Sequence, residues 1–133
     1  MSHYTSVTTE FVDRDCLIQA LKEMGFTNVE VHDGVGVKLR GGYGDRRANI
    51  VLRAHANKVN FYADCGFKLD EKKKQYEFIG DSMDLNAKRM NLDRLKQLYA
   101  EQRLVKEARR RGFRVLKRME KSGKILMTLR RSF

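Results

Sequence analysis

Along this chain the apolar positions alternate, turn helical, alternate again in several short runs, turn helical once more and close on alternation. Residues 4–11, rich in Thr and Val, have the composition of a short strand. Leu17, Ile18, Leu21 and Met24 then recur at helical spacing. Asp13 or Asp15 precedes them, where a carboxylate accepts the free amide hydrogens of a first turn, and Gly25 follows where a helix stops. Residues 29–31 and 35–39 alternate on either side of Asp33-Gly34, a favoured hairpin turn. Gly41-Gly42-Tyr43-Gly44-Asp45 predicts a further turn, and residues 48–54 and 59–63 predict two more strands around His55-Ala56-Asn57. Residues 66–69 and 75–79 predict a pair joined across Asp70-Glu71-Lys72-Lys73-Lys74.

From about Leu85 the period becomes that of a helix. Leu92, Leu95, Leu98, Tyr99, Val105 and Ala108 fall on one broad arc. Gly112 ends it, after Arg109, Arg110 and Arg111 in the last turn, where cations suit the helix dipole. Phe113, Val115 and Met119 then alternate, as do Ile125, Met127 and Leu129, and Ser122-Gly123 joins the two runs as a closing hairpin. This order predicts an α+β fold over residues 1–133: a single domain with one antiparallel sheet backed by two helices, plus a C-terminal β-hairpin. No linker, repeat or low-complexity tract divides the chain, and the absence of proline favours uninterrupted elements and glycine turns.

Charge changes this picture more than composition does. The chain is 133 residues long, 41% hydrophobic and 34% charged, enough for one core under a heavily solvated surface. Residues 85–133 hold 16 Lys/Arg and 4 Asp/Glu, a net of +12, whereas residues 1–84 hold 12 and 13, a net of −1. So sharp a split between a neutral strand-rich part and a basic helix and hairpin points to a polyanionic partner. Arg89, Lys96, Arg103 and Arg110 recur every seven residues, so on one continuous helix they form a nearly axial stripe of roughly 30 Å. Arg111 lies beside its end, and the hairpin adds Arg114, Arg118, Lys124, Arg130 and Arg131. Arg114 and Arg118 are expected opposite Phe113 and Val115. If helix and hairpin share one exposed side, these ten make a cationic track for phosphates.

Two other readings stand beside that one. The bases could be a solvated face with local pairs such as Asp93–Lys96, Arg103–Glu107 and Glu107–Arg111, although four acids cannot neutralise sixteen bases. They could instead meet an acidic protein. Tyr43, Tyr62 and Tyr76 lie outside the basic part and are expected in packing. With no aromatic-rich strand signature, contact to the nucleic-acid backbone, RNA favoured, is expected over readout of bases. Enzyme chemistry has weaker signals. The glycines between 34 and 44 lack a following helix and a Gly-Lys-Ser/Thr, so they predict turns, with Arg40, Arg46 and Arg47 a minor phosphate contact. His3, His32, His55, Cys16 and Cys65 lack paired metal-ligand spacing, so no metal and no cofactor is expected. Cys65 beside Asp64 could be posed as a thiol nucleophile, but an inert buried thiol is the commoner case. Asp81 or Asp84 is expected to cap the long helix. No apolar run approaches a membrane span, and the first residues lack a secretory pattern.

Three stretches carry a resemblance: Met1-Ser2-His3-Tyr4 with Leu21, Gly25 and Phe26; Leu39-Arg40-Gly41-Gly42-Tyr43-Gly44 with Ala48-Asn49-Ile50-Val51; and Tyr62-Ala63-Asp64-Cys65-Gly66-Phe67 with Tyr76-Glu77-Phe78-Ile79-Gly80-Asp81. Together, and with Gly112-Phe113-Arg114-Val115, they resemble the hypothetical chloroplast reading frame thirty-five family, a bacterial, cyanobacterial and plastid domain of unknown function. That resemblance implies no catalytic residue. It does imply a partner or adaptor role, because bacterial members are similar to proteins encoded beside an AAA+ ATPase and a second very small protein. The basic last third departs from the more neutral or acidic members and points to a specialised partner. Two cysteines without framework spacing predict a reducing compartment, the cytoplasm, a plastid stroma or a viral particle.

Overall fold

The structure, a computed structural model, describes residues 3–132. Strands β1 (Tyr4–Thr8), β2 (Glu30–Val31), β5 (Ile50–Leu52), β6 (Cys65–Asp70) and β7 (Gln75–Asp81) form one antiparallel sheet in the order β1-β7-β6-β5-β2. Two short strands, β3 (Val37–Lys38) and β4 (Arg47–Ala48), pair with each other, and so do β8 (Phe113–Lys121) and β9 (Lys124–Arg131). The helices are α1 (Arg14–Glu23), α2 (Ser82–Asn86) and α3 (Leu92–Arg110).

Alternation along the strands explains why both faces of the sheet are covered. Ile50 and Leu52 of β5, with Phe67 and Phe78, face α1 and α3 and meet Leu17, Leu21, Leu95 and Leu98. Val51 and Ile79 point the other way, into a second cluster with Tyr4, Leu39, Ala63 and Ala48 of β4, against which Val37 of β3 packs. Each fully buried Val, Leu, Ile or Phe among them contributes about 1.5–3 kcal/mol of transfer free energy. The fold is therefore α+β with an antiparallel sheet, two core helices and a closing hairpin, as its pattern predicts. Tyr99 ties α3 to the start of α1: its Oη accepts from the Val12 and Asp13 amides at 2.9 Å each, and its ring lies 4.7 Å from that of Phe11.

Three local expectations are corrected. Residues 29–31 and 35–39 do not pair across Asp33-Gly34: β2 joins β5, and β3 joins β4. Asn49, between β4 and β5, donates to the carbonyls of His32 and Gly34 and holds that connection between the two pairings. At Gly36 a Cβ would stand 2.2 Å from the Ala48 carbonyl oxygen, so only glycine fits there. Residues 59–63 form no strand, because the amides of Tyr62 and Ala63 donate to buried Asp84 at 2.7 and 3.2 Å rather than to a ladder. The helix expected from Leu85 is two helices. Asp81 caps α2 through the Met83 amide, and Asn91 caps α3 through the Arg94 amide, with Lys88 at positive φ between them.

Candidate functional site

Strand β8 runs antiparallel to α3, which puts the hairpin tip beside the N-terminal half of that helix. Its turn residues Ser122 and Gly123 both have positive φ, which matches the twist of a two-residue hairpin. Arg94 of α3 grips Glu120 through two bonds of 2.9 and 3.0 Å, Gln97 donates to the Gly123 carbonyl, and Ile125 packs on the main core.

A β-bulge decides which residues of the hairpin face outward. The register runs Val115↔Leu129 and then Lys117↔Thr128, so Leu116 is an extra residue and the alternation of β8 shifts by one. Phe113 and Val115 share the helix-facing side with Arg118 and Glu120, across from Ile125, Met127, Leu129 and Arg131. Arg118 and Met119 therefore lie on the faces opposite to those expected. Arg118 turns onto α3, where its Nη2 donates to Glu101 Oε1 at 3.0 Å and to Glu120 Oε1 at 2.6 Å, and its Nε donates to Glu101 Oε2. Those bonds raise the guanidinium further above its ordinary value and neutralise Glu101, whose side chain is only 7% exposed.

The outer face consists of four cross-strand rows: Arg114↔Arg130, Lys117↔Thr128, Met119↔Leu126 and Lys121↔Lys124. All eight residues are exposed, and five are cations. The one carboxylate of the hairpin, Glu120, is on the other face, bound to Arg94 and Arg118, which hold it below its ordinary value. Among the described residues no carboxylate forms an ion pair with Arg114, Lys117, Lys121, Lys124 or Arg130. Met119 and Leu126 are 40% and 55% exposed at the centre of this cationic frame.

The remaining residues of the expected track are elsewhere. Arg89 lies before α3 and binds buried Asp84 at 2.7 Å. Lys96 approaches Glu10 at 3.9 Å, Arg103 donates to Tyr99 Oη at 3.3 Å, and Arg110 and Arg111 share Glu107 at 2.9 Å each. At about 100° per residue, Lys96, Arg103 and Arg110 point roughly 150° away from Arg94, Gln97 and Glu101, the side of α3 under the hairpin. Arg131 stacks over the Phe113 ring at 5.1 Å on the inner face. The structure thus gathers Arg114, Lys124 and Arg130 and separates them from Arg89, Lys96, Arg103, Arg110, Arg111, Arg118 and Arg131, so helix and hairpin make no single track. Lys117 and Lys121 complete the outer face, where the bulge places them against plain alternation from Phe113.

The other candidate groups make contacts within the fold. The Cys65 thiol is fully buried, and burial, then Asp84 and Asp64, pushes its pKa well up, which disfavours a thiolate. Asp64 accepts from the Arg40 and Ala54 amides and from Arg53 at 2.7–2.9 Å. Arg46 bonds Ser6, and Arg47 donates to the Gly36 carbonyl at 2.7 Å. Tyr76 is buried, whereas Tyr43 and Tyr62 are exposed and so are not core residues. Among the described residues no group of three or more His, Cys, Asp or Glu could hold a metal ion, and no helix is long and apolar enough to cross a membrane.

Residues 20–127 match a family model described as protein of unknown function (DUF1257). No curated protein and no solved structure matches the chain.

Proposed function

The chain belongs to this DUF1257 family of unknown function, and from that starting point we propose that it is a non-enzymatic binding module whose outer hairpin face takes a nucleic-acid backbone. One observation carries the reading: Arg114 stands opposite Arg130 and Lys121 opposite Lys124, with no acid on that face. Like charges directly opposite across a ladder destabilise it. A polyanion relieves that repulsion and gains entropy by releasing counterions. Inward-facing Arg118, by contrast, already has its acids.

A second reading has its own support. Apolar Met119 and Leu126 framed by cations also have the anatomy of a protein interface with an apolar centre and a polar rim. An acidic surface of an AAA+ ATPase would be its partner. The two are separated by purifying the full chain from native cells with and without nuclease. Co-purifying material that absorbs at ultraviolet wavelengths and disappears on nuclease treatment supports the nucleic-acid reading. A protein partner that survives nuclease and whose ATP turnover changes on addition of this chain replaces it.

A further inference from the structure

The hairpin is a two-stranded antiparallel ribbon with one face on a helix and the other free. We infer that this face is built for the major groove of B-form duplex DNA, with Met119 and Leu126 against thymine methyl groups. The inference rests on the phosphate-binding reading above and adds the class of nucleic acid, duplex DNA touched at its base edges in place of the RNA and backbone-only contact that the sequence favours. Three observations support it.

The first is shape. Neighbouring strands lie about 4.8 Å apart, and their side chains widen the ribbon to about the 12 Å of a B-form major groove, which admits such a ribbon. The major groove of A-form RNA is deep and narrow and does not. The second is the order of the rows. Those on one face recur at intervals of roughly 7 Å, so Arg114/Arg130 at the base and Lys121/Lys124 at the tip are about 20 Å apart. Long flexible cations at both ends reach the phosphates along the rims, while the central rows face the groove floor. The third is the chemistry of the centre. Met119 and Leu126 are aliphatic and exposed, and the face has no aromatic ring on which an unstacked base of a single strand would lie. The apolar group that base pairs present in the major groove is the thymine C5 methyl, which uracil lacks. Lys117 and Thr128 beside that row supply donors for base-edge acceptors.

The test uses the full chain and four fluorescently labelled probes at one fixed salt concentration: a mixed-sequence DNA duplex, the same duplex with deoxyuridine replacing thymidine, the corresponding RNA duplex, and single-stranded DNA. Binding is read by anisotropy. The thymine duplex is expected to bind about tenfold more tightly than the RNA duplex. Removing the methyls weakens it by about fourfold for each one in contact. The double variant Met119→Ser/Leu126→Ser, altered at exposed positions, loses the thymine-to-uracil difference and keeps the salt dependence. Equal affinity for the DNA and RNA duplexes, tightest binding to the single strand, or equal affinity for the two DNA duplexes overturns this inference and leaves phosphate binding standing. Failure to bind any probe overturns both.

Discussion

Asp13 links three parts of the chain through one carboxylate. Its Oδ1 caps α1 through the Cys16 amide at 3.0 Å, and its Oδ2 accepts from Lys106 of α3 at 2.5 Å. Burial pushes this carboxyl up, but the bonds from Lys106 and Cys16 outweigh it and hold it below its ordinary value. Asp13→Ala is expected to cost about 1 kcal/mol in urea unfolding for the lost cap. Asp13→Asn keeps an N-cap and costs less. The sign of the pH response follows from the same bonds. Asp13, Glu30 and Glu120 all titrate lower in the fold than unfolded, Glu30 chiefly through Arg53 and Glu120 through Arg94. Their contribution is complete above the unfolded carboxylate values near 4 and is lost as pH falls through the lower folded values. Urea midpoints measured downward from pH 6 are therefore expected to hold steady to about pH 4.5 and then decline. Arg118 and Arg114 are four residues apart and are expected to behave oppositely. Arg118→Gln strands buried Glu101 and destabilises by about 1–2 kcal/mol, discounted for partial exposure. Arg114→Gln leaves stability unchanged or raises it by relieving repulsion with Arg130.

At the scale of elements, periodicity revealed most of the fold. The arc Leu92–Leu95–Leu98–Tyr99 is the buried face of α3, and Asp70–Lys74 is the turn between β6 and β7. What it could not reveal depends on distant partners. Residues 59–63 alternate like a strand, yet Asp84, more than twenty residues on, takes the Tyr62 and Ala63 amides. The bulge, by contrast, has a trace in the sequence. Counting outward from the Ser122-Gly123 turn puts Leu116 opposite Leu129, whereas the Phe113–Val115 spacing puts Val115 there. That mismatch of one residue is what Leu116 absorbs. Plain alternation counted from Phe113 places Arg118 outward and Lys117 and Lys121 inward, the reverse of what the bulge produces. Deleting Leu116 is thus expected to restore a regular ladder without turning any later side chain over. The deletion variant should stay folded by circular dichroism and still bind polyanions. Loss of binding with the fold intact would show that the bulge itself shapes the face.

For the whole molecule, the charge split between residues 1–84 and 85–133 is real in sequence but not in space. Glu10, Asp13 and Asp84 of the neutral part reach across to Lys96, Lys106 and Arg89, so the local excess of bases shrinks on folding. Among the described bases of residues 85–133, Lys88, Arg103 and Arg109 form no ion pair and stand apart, whereas Arg114, Lys117, Lys121, Lys124 and Arg130 form none and share one side of one ribbon. This side, and not the basic charge in general, is proposed to hold a nucleic acid. The most direct measurement compares salt dependence for two variants of equal charge. One carries Gln at Arg114, Lys117, Lys121, Lys124 and Arg130, the other Gln at Lys96, Arg103, Arg109, Arg110 and Arg111, on or at the end of α3. Each phosphate contact contributes about −0.9 to the slope of log K against log salt on a duplex. The hairpin variant is expected to lose nearly all affinity and slope while the helix variant keeps most of both. Equal losses from the two variants, or none from the hairpin variant, would contradict the proposal.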